Sequence, residues 1–275
     1  MSELSELIER ALAEDLGAGD LTAEAVVPEE AYAVAVIEQR AQGVIYGLDA
    51  ARETFAQAGD GLIFESLAPE GEWRTPGDVA RVEGPARAIL AGERVALNFL
   101  GRLSGVATLT ARYVQAVEGT GARILDTRKT TPGLRALEKA AVVAGGGVPH
   151  RSGLYDAILV KENHAALAGG VEEAARLAVE GRGGAEFVEV EVEDPGDVKA
   201  VLKTGVDRIL LDNMDEGELR KAVKQVKGRA AVEASGGITL DNVREVADTG
   251  VDFISVGALT HSAPALDLSL LLAPR

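Results

Sequence analysis

The segment Phe187-Val-Glu-Val-Glu-Val192 is a short β-rich run in which apolar and acidic residues alternate. Further runs of this kind lie along the chain: Arg123–Asp126, Ala157–Val160, Arg208–Leu211, Ala230–Glu233 and Phe253–Val256. Helical stretches separate the runs, an alternation that predicts βα units. Apolar strands that are buried on both faces are typical of a parallel sheet covered by helices.

The spacing of the runs favours a barrel. The residues at successive run ends, Glu191, Asp212, Ser235 and Gly257, lie 21, 23 and 22 positions apart by subtraction. Six or so consecutive units without a signal that reverses the winding favour a barrel over a doubly wound sheet. The region is short for eight units at the roughly 250 residues of a complete barrel, so we expect an incomplete, open α/β barrel.

The first hundred residues indicate a separate α+β unit. Helical patterns cover Ser5–Asp15, Ala50–Ala58 and Ala86–Leu100, and strand patterns cover Tyr32–Ile37, Gly43–Tyr46, Leu62–Leu67 and Val79–Val82. We therefore predict a first domain over residues 1–104 and a catalytic barrel domain over 105–263. The tail, 264–275, contains the apolar run Leu268–Leu272, and we expect it to pack back on the first domain.

Composition excludes several classes of protein. The 275 residues contain no cysteine, which removes disulfides and cysteine metal sites. Apolar stretches are too short to span a membrane, and the N-terminus lacks a signal-peptide pattern, so we expect a cytoplasmic protein. The net charge of −16 and an aromatic content of 4% argue against nucleic acid and membrane partners.

The charge is unevenly distributed along the chain. From Arg94 to Lys161, ten basic residues stand against four acidic ones, a net +6, so the remainder carries −16 − 6 = −22. Arg128 and Lys129 directly follow a strand, a glycine-rich loop ends in His150 and Arg151, and Lys161 ends the next strand. Cations that converge at one barrel end predict a substrate with several negative charges. Taken singly, each would be an ordinary surface residue.

Glycines at the ends of the last two strands indicate a phosphate site. Ser235-Gly-Gly-Ile238 and Ser255-Val-Gly-Ala-Leu259 allow backbone N–H groups to approach a phosphate closely. The alternative is that these glycines only form tight turns. His164 and His261 each follow a strand end, and each alone is more often structural than catalytic.

Acidic residues mark the neighbouring strand ends. Glu189, Glu191 and Glu193 alternate on one strand and share a face, and Asp212 ends the next strand. Buried carboxylates need partners, so we expect cations, a metal ion or sugar hydroxyls beside them. For Glu191 and Asp212 we favour magnesium or ribose hydroxyls at the barrel mouth over a solvated acidic edge.

Together these motifs resemble the quinolinate phosphoribosyltransferases, also called carboxylating nicotinate-nucleotide pyrophosphorylases, nearly from end to end. In the first domain the resemblance rests on Ala11-Leu-Ala-Glu-Asp-Leu-Gly-Ala-Gly-Asp-Leu-Thr22 and Gly92-Glu-Arg-Val-Ala-Leu-Asn-Phe-Leu100. In the barrel it rests on Asp126-Thr-Arg-Lys-Thr-Thr-Pro-Gly-Leu-Arg135, Gly145-Gly-Gly-Val-Pro-His-Arg151, Lys161-Glu-Asn-His164, Glu189-Val-Glu191, Leu210-Leu-Asp-Asn213, Ser235-Gly-Gly237 and Val256-Gly-Ala-Leu-Thr-His-Ser262. Relatives often have Asp where this chain has Glu162, a change that keeps the charge.

The resemblance implies an N-terminal α/β sandwich domain, an incomplete TIM-like α/β barrel and a homodimer. It also implies transfer of a phosphoribosyl group from 5-phosphoribosyl 1-pyrophosphate to quinolinate, with Mg2+, giving nicotinate mononucleotide, pyrophosphate and CO2 in NAD biosynthesis.

The resemblance further assigns roles to individual residues. It implies that quinolinate is held by Thr127, Arg128, His150, Arg151 and Lys161, with Arg94 from the neighbouring subunit. It implies that the phosphoribosyl donor contacts Lys129, Glu191, Asp212, Ser235, Gly236, Gly237, Gly257, Ala258, Leu259 and His261. Lys129, Lys161, Glu191 and Asp212 would be catalytic, and Glu191 and Asp212 would hold the metal directly or through water and ribose.

Other readings stay open on the residues alone. Lys161 would be the nucleophile of a Schiff-base aldolase or decarboxylase acting on a phosphosugar, provided that its amine is desolvated. The barrel would alternatively bind a phosphometabolite without catalysis. A relative that acts on another pyridine acid is a further alternative.

Overall fold

The computed structural model describes residues 2–274, which separate into two compact units. One unit is Thr110–Ser262, and the other contains the remaining described residues, 2–109 and 263–274. The sequence predicts a boundary after residue 104, whereas the units divide after Leu109. The reason is a long helix, Ala86–Ala116, that continues without a break through the expected boundary.

Helices and strands are numbered in chain order. The helices are α1 Glu3–Leu16, α2 Leu21–Val26, α3 Leu48–Ala58, α4 Ala86–Ala116, α5 Arg135–Ala144, α6 Glu162–Ala168, α7 Val171–Glu180, α8 Val198–Lys203, α9 Glu216–Val226, α10 Val243–Ala247 and α11 Ala258–His261. The strands are β1 Tyr32–Gln39, β2 Gly43–Val44, β3 Ile63–Ser66, β4 Trp73–Arg74, β5 Gly77–Pro85, β6 Arg123–Leu125, β7 Ile158–Val160, β8 Val188–Val192, β9 Arg208–Asp212, β10 Ala231–Ser235, β11 Phe253–Ser255 and β12 Leu268–Pro274.

The first unit is built on an antiparallel sheet of order β12-β1-β5-β3. Along β1, Ala33, Ala35 and Ile37 are buried and the residues between them are more exposed, as expected for a strand with one face on a core. Phe55 of α3 and Ile89 of α4 complete that core. The C-terminal strand β12 pairs with β1, so the apolar tail lies in this sheet.

Two glycines allow α4 to pass close to the C-terminal segment of the same unit. A Cβ on Gly105 would lie 2.1 Å from the carbonyl oxygen of Pro264, and one on Gly101 would lie 3.2 Å from that of Leu266. In the middle of a helix, glycine costs up to about 1 kcal/mol relative to alanine. Here the close backbone approach requires it, so these glycines do not mark the end of the helix.

The second unit is a parallel α/β barrel that is open on one side. Its six strands have the order β6-β11-β10-β9-β8-β7, so β6, the first of them in the chain, pairs with β11, the last. Among residues 110–262, the structure shows no β6–β7 ladder, and a single parallel bridge joins Leu125 to Val148. The predicted fold class, a mixed α/β protein with a parallel-stranded second domain, is confirmed.

Alternation along the strands separates the inner face of the barrel from its helix-covered face. Glu189 and Glu191 of β8 lie on the inner face with Leu210 of β9 and Glu233 of β10, because paired residues point the same way. Near the amino ends of the strands, the guanidinium of Arg208 lies 4.0 Å from the ring centre of Phe187. A second aromatic ring takes part: Phe253 lies 4.6 Å from the Arg208 guanidinium and 4.5 Å from that of Arg123. These four side chains form the arginine–phenylalanine floor of the barrel.

No helix within residues 2–274 is long and apolar enough to cross a membrane.

Candidate active site

A cavity of about 610 Å³ opens at the carboxyl ends of the barrel strands. It is lined by Thr127, Arg128, Lys129, His150, Arg151, Leu159, Lys161, Glu162, Glu191, Glu193, Leu210, Asp212, Glu233, Ser235 and Ser255. In a parallel barrel this end carries the active site, because the βα loops converge there. The volume suits one or two small substrates.

Cationic groups reach the cavity from two loops and a strand end. Arg128 and Lys129 follow β6, Arg151 follows the glycine-rich loop, and Lys161 directly follows β7. Burial and the nearby positive charge of Arg128 lower the pKa of Arg151. A bound anion would relieve this repulsion, since guanidinium groups bind carboxylates bidentately.

Arg135 braces the two cationic loops against each other. Its Nε donates to Thr130 Oγ1 at 3.0 Å, and its Nη1 donates to the carbonyl oxygen of Ser152 at 3.1 Å. A third hydrogen bond, of 3.4 Å, runs from Nη2 to the carbonyl oxygen of Arg128. The brace restricts where Arg128 and its loop can lie before substrate binds.

Lys161 forms an ion pair with Glu191 at the cavity wall. The lysine side chain is 45% exposed, whereas the glutamate side chain is 4% exposed. Burial raises the pKa of Glu191, Lys161 opposes that rise, and Glu162 and Asp212 add to it. The Lys161 amine is therefore paired and hydrated, unlike the desolvated amine that Schiff-base chemistry needs.

Three carboxylates meet beside this ion pair. Glu191, Glu193 and Asp212 each place an oxygen within 4.8 Å of the others. Oxygen donors in such a cluster suit a hard divalent cation such as Mg2+. Neighbouring Asn213 donates from Nδ2 to Asp212 and so orients one of the carboxylates.

A buried cluster of His150, Glu189 and Glu233 lies at the inner end of the cavity. His150 Nε2 is 2.9 Å from Glu189 Oε2 and 3.5 Å from Glu233 Oε2, and both glutamates are fully buried. Burial by itself lowers the pKa of His150, but the two carboxylates outweigh it and raise that pKa to about 9. Burial and the charge of Glu233 raise the pKa of Glu189, and His150 partly offsets the rise.

One contact opposes the charge on His150. The backbone N–H of Arg151 donates to His150 Nδ1 at 2.7 Å, which favours the neutral ring. Protonation of Nδ1 would lose this hydrogen bond and leave two N–H groups facing each other, at a cost of about 1–3 kcal/mol, where one pKa unit corresponds to about 1.4 kcal/mol. The contact therefore offsets part of the rise that the two carboxylates cause in the pKa of His150.

A second buried ion pair, Asp126 with Lys139, contacts the backbone of His150. Asp126 is fully buried, and its Oδ1 accepts a 2.9 Å hydrogen bond from the His150 backbone N–H. Lys139 of α5 forms an ion pair with the same oxygen, and its side chain is 8% exposed. Burial raises the pKa of Asp126, and Lys139 and the His150 contacts oppose the rise. The pair fixes the backbone at the point where the chain turns toward Arg151.

The glycine turn after β10 requires its glycine. Gly236 has φ +93°, and a Cβ there would lie 2.2 Å from Asn213 Oδ1. Gly237 has φ +61° and open space within 4 Å of a Cβ position. The Asn213 N–H donates to the carbonyl oxygen of Ser235 at 2.9 Å, which ties this turn to the end of β9. The open side of the turn leaves room for a ligand oxygen.

In the turn after β11, backbone and side-chain contacts hold the Lys129 loop. Leu259 is buried and its N–H donates to the carbonyl oxygen of Val256 at 3.3 Å, so it offers a phosphate no free donor. A Cβ on Gly257 would lie 3.1 Å from Lys129 Cδ and 3.2 Å from His261 Nε2, which places both side chains against this turn. Thr260 Oγ1 donates to the carbonyl oxygen of Lys129 at 2.7 Å, so α11 also holds the Lys129 loop.

The structure brings most predicted site residues together. Nine of the expected side chains line the cavity: Thr127, Arg128, Lys129, His150, Arg151, Lys161, Glu191, Asp212 and Ser235. Gly236, Gly237, Gly257, Ala258, Leu259 and His261 are not among its lining residues. Arg94 is exposed on α4 in the first unit.

Sequence reasoning missed several members of the site. Glu233, Leu159 and Leu210 line the cavity, and none of the three was given a role. Each lies two residues before a predicted site residue at or directly after the end of its strand, and residues two apart on a strand share a face. The alternation of the strands is therefore the signal that would have found them.

Comparison with known families agrees with this geometry. The family described as "Quinolinate phosphoribosyl transferase, N-terminal domain" matches residues 20–104, and its "C-terminal domain" matches residues 106–271. The chain belongs to the quinolinate phosphoribosyltransferase family. The resemblance expected from the motifs is confirmed over both domains.

Relatives within the quinolinate phosphoribosyltransferase family are similar along almost the whole chain. A probable nicotinate-nucleotide pyrophosphorylase [carboxylating] of Bacillus subtilis is 39% identical over 269 residues, which cover 98% of this chain and 93% of that protein. The chloroplastic nicotinate-nucleotide pyrophosphorylase [carboxylating] of Oryza sativa is 41% identical over 290 residues, covering 98% of this chain and 77% of that protein. The fold is shared with a solved nicotinate-nucleotide pyrophosphorylase from Francisella tularensis, with a TM-score of 0.94, 36% identity and coverage of 98% and 96%.

Proposed function

We propose that the protein catalyses phosphoribosyl transfer from 5-phosphoribosyl 1-pyrophosphate to quinolinate, with loss of CO2, as a carboxylating nicotinate-nucleotide pyrophosphorylase. The observation that carries the proposal is the divided charge of the cavity: Arg128, Lys129, Arg151 and Lys161 on one set of elements, and Glu191, Glu193 and Asp212 on another. Cations suit the carboxylates and the pyrophosphate, and the acidic cluster suits ribose hydroxyls and a metal. Membership of the family supports the same reaction.

The cations bind and orient the acceptor. Arg128 and Arg151 would each engage a carboxylate of quinolinate, and Lys161 would add a compact charge. Holding two anions side by side normally costs repulsion, which these side chains neutralise. Orientation within one cavity then replaces an unfavourable encounter of two polyanions, and this is the main contribution of the protein to the rate.

The acidic cluster stabilises the charge that develops on the donor. As the bond from ribose C1 to the pyrophosphate oxygen breaks, its electron pair leaves with pyrophosphate and positive charge develops at C1. Glu191 and Asp212 would favour that state electrostatically. The pyridine nitrogen then forms a bond to C1. The C2–carboxylate bond breaks to release CO2, its electron pair stays on C2 beside the cationic ring nitrogen, and a proton replaces the lost group.

The oxygen donors of Glu191, Glu193 and Asp212 fit a magnesium ion, since three of them lie within 4.8 Å of one another. Such an ion would supply positive charge for the pyrophosphate leaving group. We include Mg2+ in the proposal for this reason, with Glu191 and Asp212 as its ligands directly or through water and ribose.

Arg94 belongs to the proposal as a residue that a homodimer would share. It is exposed on α4 within the QRPTase N-terminal domain match. If it acts in the neighbouring subunit's site, mixing inactive R94A and R151A variants should restore activity in hybrid dimers. No recovery after proven subunit exchange would remove Arg94 from that role. The cytoplasmic location expected from the sequence stays a prediction.

The deciding experiment follows both products from quinolinate and the phosphoribosyl donor. We expect one CO2 and one nicotinate mononucleotide per pyrophosphate released. Tight donor binding without any turnover would instead indicate the non-catalytic barrel, and borohydride trapping of a carbonyl substrate on Lys161 would indicate the aldolase. Nicotinate, which lacks the C2 carboxylate, serves as a matched acceptor control; turnover of nicotinate at the same rate would refute the dicarboxylate specificity.

A further inference from the structure

Two fully buried carboxylates lie at the inner end of a cavity that, on the proposed function, receives a dianion. Glu189 and Glu233 have no exposed surface, and Glu233 also lines the cavity. Negative charge at this position would oppose the binding of quinolinate. The arrangement therefore calls for a positive group between these carboxylates and the ligand.

The His150 ring occupies that position. Its Nε2 lies 2.9 Å from Glu189 and 3.5 Å from Glu233, and the ring itself lines the cavity. Phe187 meets the ring edge-on, with centroids 5.6 Å apart, and limits its rotation. The ring is thus held between the two carboxylates and the space for the ligand.

The carboxylates have few other partners. Among residues 2–274, both oxygens of Glu233 and Oε1 of Glu189 lack a well-formed hydrogen bond, and the nearest cationic group to Glu233 is His150 Nε2 at 3.5 Å. A buried carboxylate is stabilised either by taking up a proton or by a positive charge beside it. His150 is the cationic group in contact with both carboxylates, so its charge would stabilise their ionised forms.

Several other ionisable groups surround His150, and together they do not outweigh the effect of the two carboxylates on the charge of its ring. Asp126, which follows β6, accepts a hydrogen bond from the His150 backbone and is ion-paired with Lys139 of α5. Arg151 lies next to His150 in the same loop. Arg208 of β9 is paired in register with Glu189 and stacks on Phe187. Within this set, the two arginines oppose protonation of the ring and the carboxylates favour it. The carboxylates are the groups in contact with Nε2.

We propose that Glu189 and Glu233 are positioning residues that keep His150 cationic, so that a fixed positive charge faces the dicarboxylate substrate well above neutral pH. The inference rests on the proposed function for the identity of the ligand, but the charge on His150 is measurable without it. The substrate preference would then depend on residues that never touch the substrate. Loss of the charge would weaken binding of the dicarboxylate without changing the chemical step.

The first test is an NMR titration of the whole protein. The sequence contains only three histidines, so histidine-labelled protein gives three ring signals, and His164→Asn and His261→Asn variants assign the third to His150. We expect the His150 signals to titrate with a midpoint well above the value of about 6.5 for an ordinary histidine, because two buried carboxylates contact the ring. A midpoint at or below 6.5 would overturn the proposal.

The second test removes one carboxylate while keeping its shape. Glu233→Gln should lower the His150 midpoint by at least about one pH unit, a tenfold change in proton affinity. Glu245→Gln, which removes one negative charge from an exposed position on α10, is the matched control and should leave the midpoint unchanged. An equal midpoint in Glu233→Gln and wild type would contradict the proposal. Should that variant fail to fold, the wild-type titration and Glu233→Asp still decide.

Binding is measured with benzene-1,2-dicarboxylate, which has both carboxylates but no nucleophilic nitrogen. For Glu233→Gln we expect affinity close to wild type at pH 6 and at least about threefold weaker at pH 8.5, as a one-unit lower midpoint implies, together with a raised KM for quinolinate and an unchanged kcat. A loss of affinity that is equal at both pH values would indicate a merely structural role and refute the proposal. No binding to wild type at any pH would instead refute the proposed substrate, while the His150 midpoint still tests the charge.

Discussion

Replacing Lys139 with methionine tests the buried ion pair that supports His150. Asp126 is fully buried, and the Lys139 side chain is 8% exposed. Methionine keeps most of the apolar stem and removes only the charge, which leaves the buried Asp126 carboxyl without its cation. Loss of one partner of a buried ion pair costs about 3–5 kcal/mol, and we expect Lys139→Met to lower the free energy of unfolding of the second unit by that amount.

The double variant separates pairing from simple loss of packing. Asp126→Asn keeps an oxygen to accept the His150 N–H, so Asp126→Asn with Lys139→Met removes both charges and no backbone contact. We expect the double variant to recover at least about 1.5 kcal/mol relative to the sum of the single changes. Arg244→Met breaks an exposed pair with Asp248 and should cost below about 1 kcal/mol.

The assay has to report on the second unit. The one tryptophan, Trp73, lies in the first unit, so its fluorescence is a poor probe of the barrel. Guanidinium unfolding followed by circular dichroism, with hydrogen exchange of the amides in Arg123–Leu125, reports on the barrel directly. A cost below about 1 kcal/mol for Lys139→Met, or additive single changes, would refute the reasoning.

Three further predictions follow from the site. Gly236→Ala should destabilise the protein by about 1–3 kcal/mol and raise the KM for the phosphoribosyl donor, because the added Cβ would collide with Asn213. Gly237→Ala, which has open space around its Cβ position, is the control and should lower the stability to thermal unfolding by less. Equal losses of stability in the two variants would contradict this reasoning. Because the pKa of His150 is raised to about 9, the stability that its charge contributes is complete below about pH 6.5 and is lost as the pH rises to 9. Urea unfolding at pH 6, 7.5 and 9 should show a falling free energy of unfolding. The His150→Gln variant should show a smaller dependence on pH over this range. Asp212→Asn should lower kcat and the response to Mg2+ far more than quinolinate affinity; a loss confined to quinolinate affinity would remove its assigned role.

The barrel and much of its site follow from local sequence patterns. The β-rich runs predict all six barrel strands to within a few residues, because each is a short apolar segment followed by a polar or glycine-containing turn. Asp212 and Ser235 are the last residues of β9 and β10, as the spacing of the runs predicts. Residues at strand ends of a parallel barrel converge whatever the details of packing, which explains why that part of the site is visible in the sequence.

The remaining features depend on contacts that no local pattern contains. Gly105, inside α4, is required because the helix passes close to Pro264, a residue far along the chain. The cluster of His150, Glu189 and Glu233 depends on the register of β8 and β10 across β9 and on a loop from a third place in the sequence. Same-face alternation identifies Glu189 and Glu233 as inward residues, but the partner of each is set by tertiary structure.

The arginine–phenylalanine floor limits how this barrel can be re-engineered. Arg208 and Asp212 are four residues apart on β9, which corresponds to about 13 Å along the strand. At that distance, with an effective dielectric constant of about 20, one guanidinium attracts an anion at the mouth by about 1.3 kcal/mol. A redesign for an uncharged acceptor that replaces the cavity residues together with Glu189, whose negative charge opposes that of Arg208, would therefore inherit a field that favours anions. Selection for such an acceptor should yield substitutions of Arg123 and Arg208, at the end of the barrel opposite the cavity.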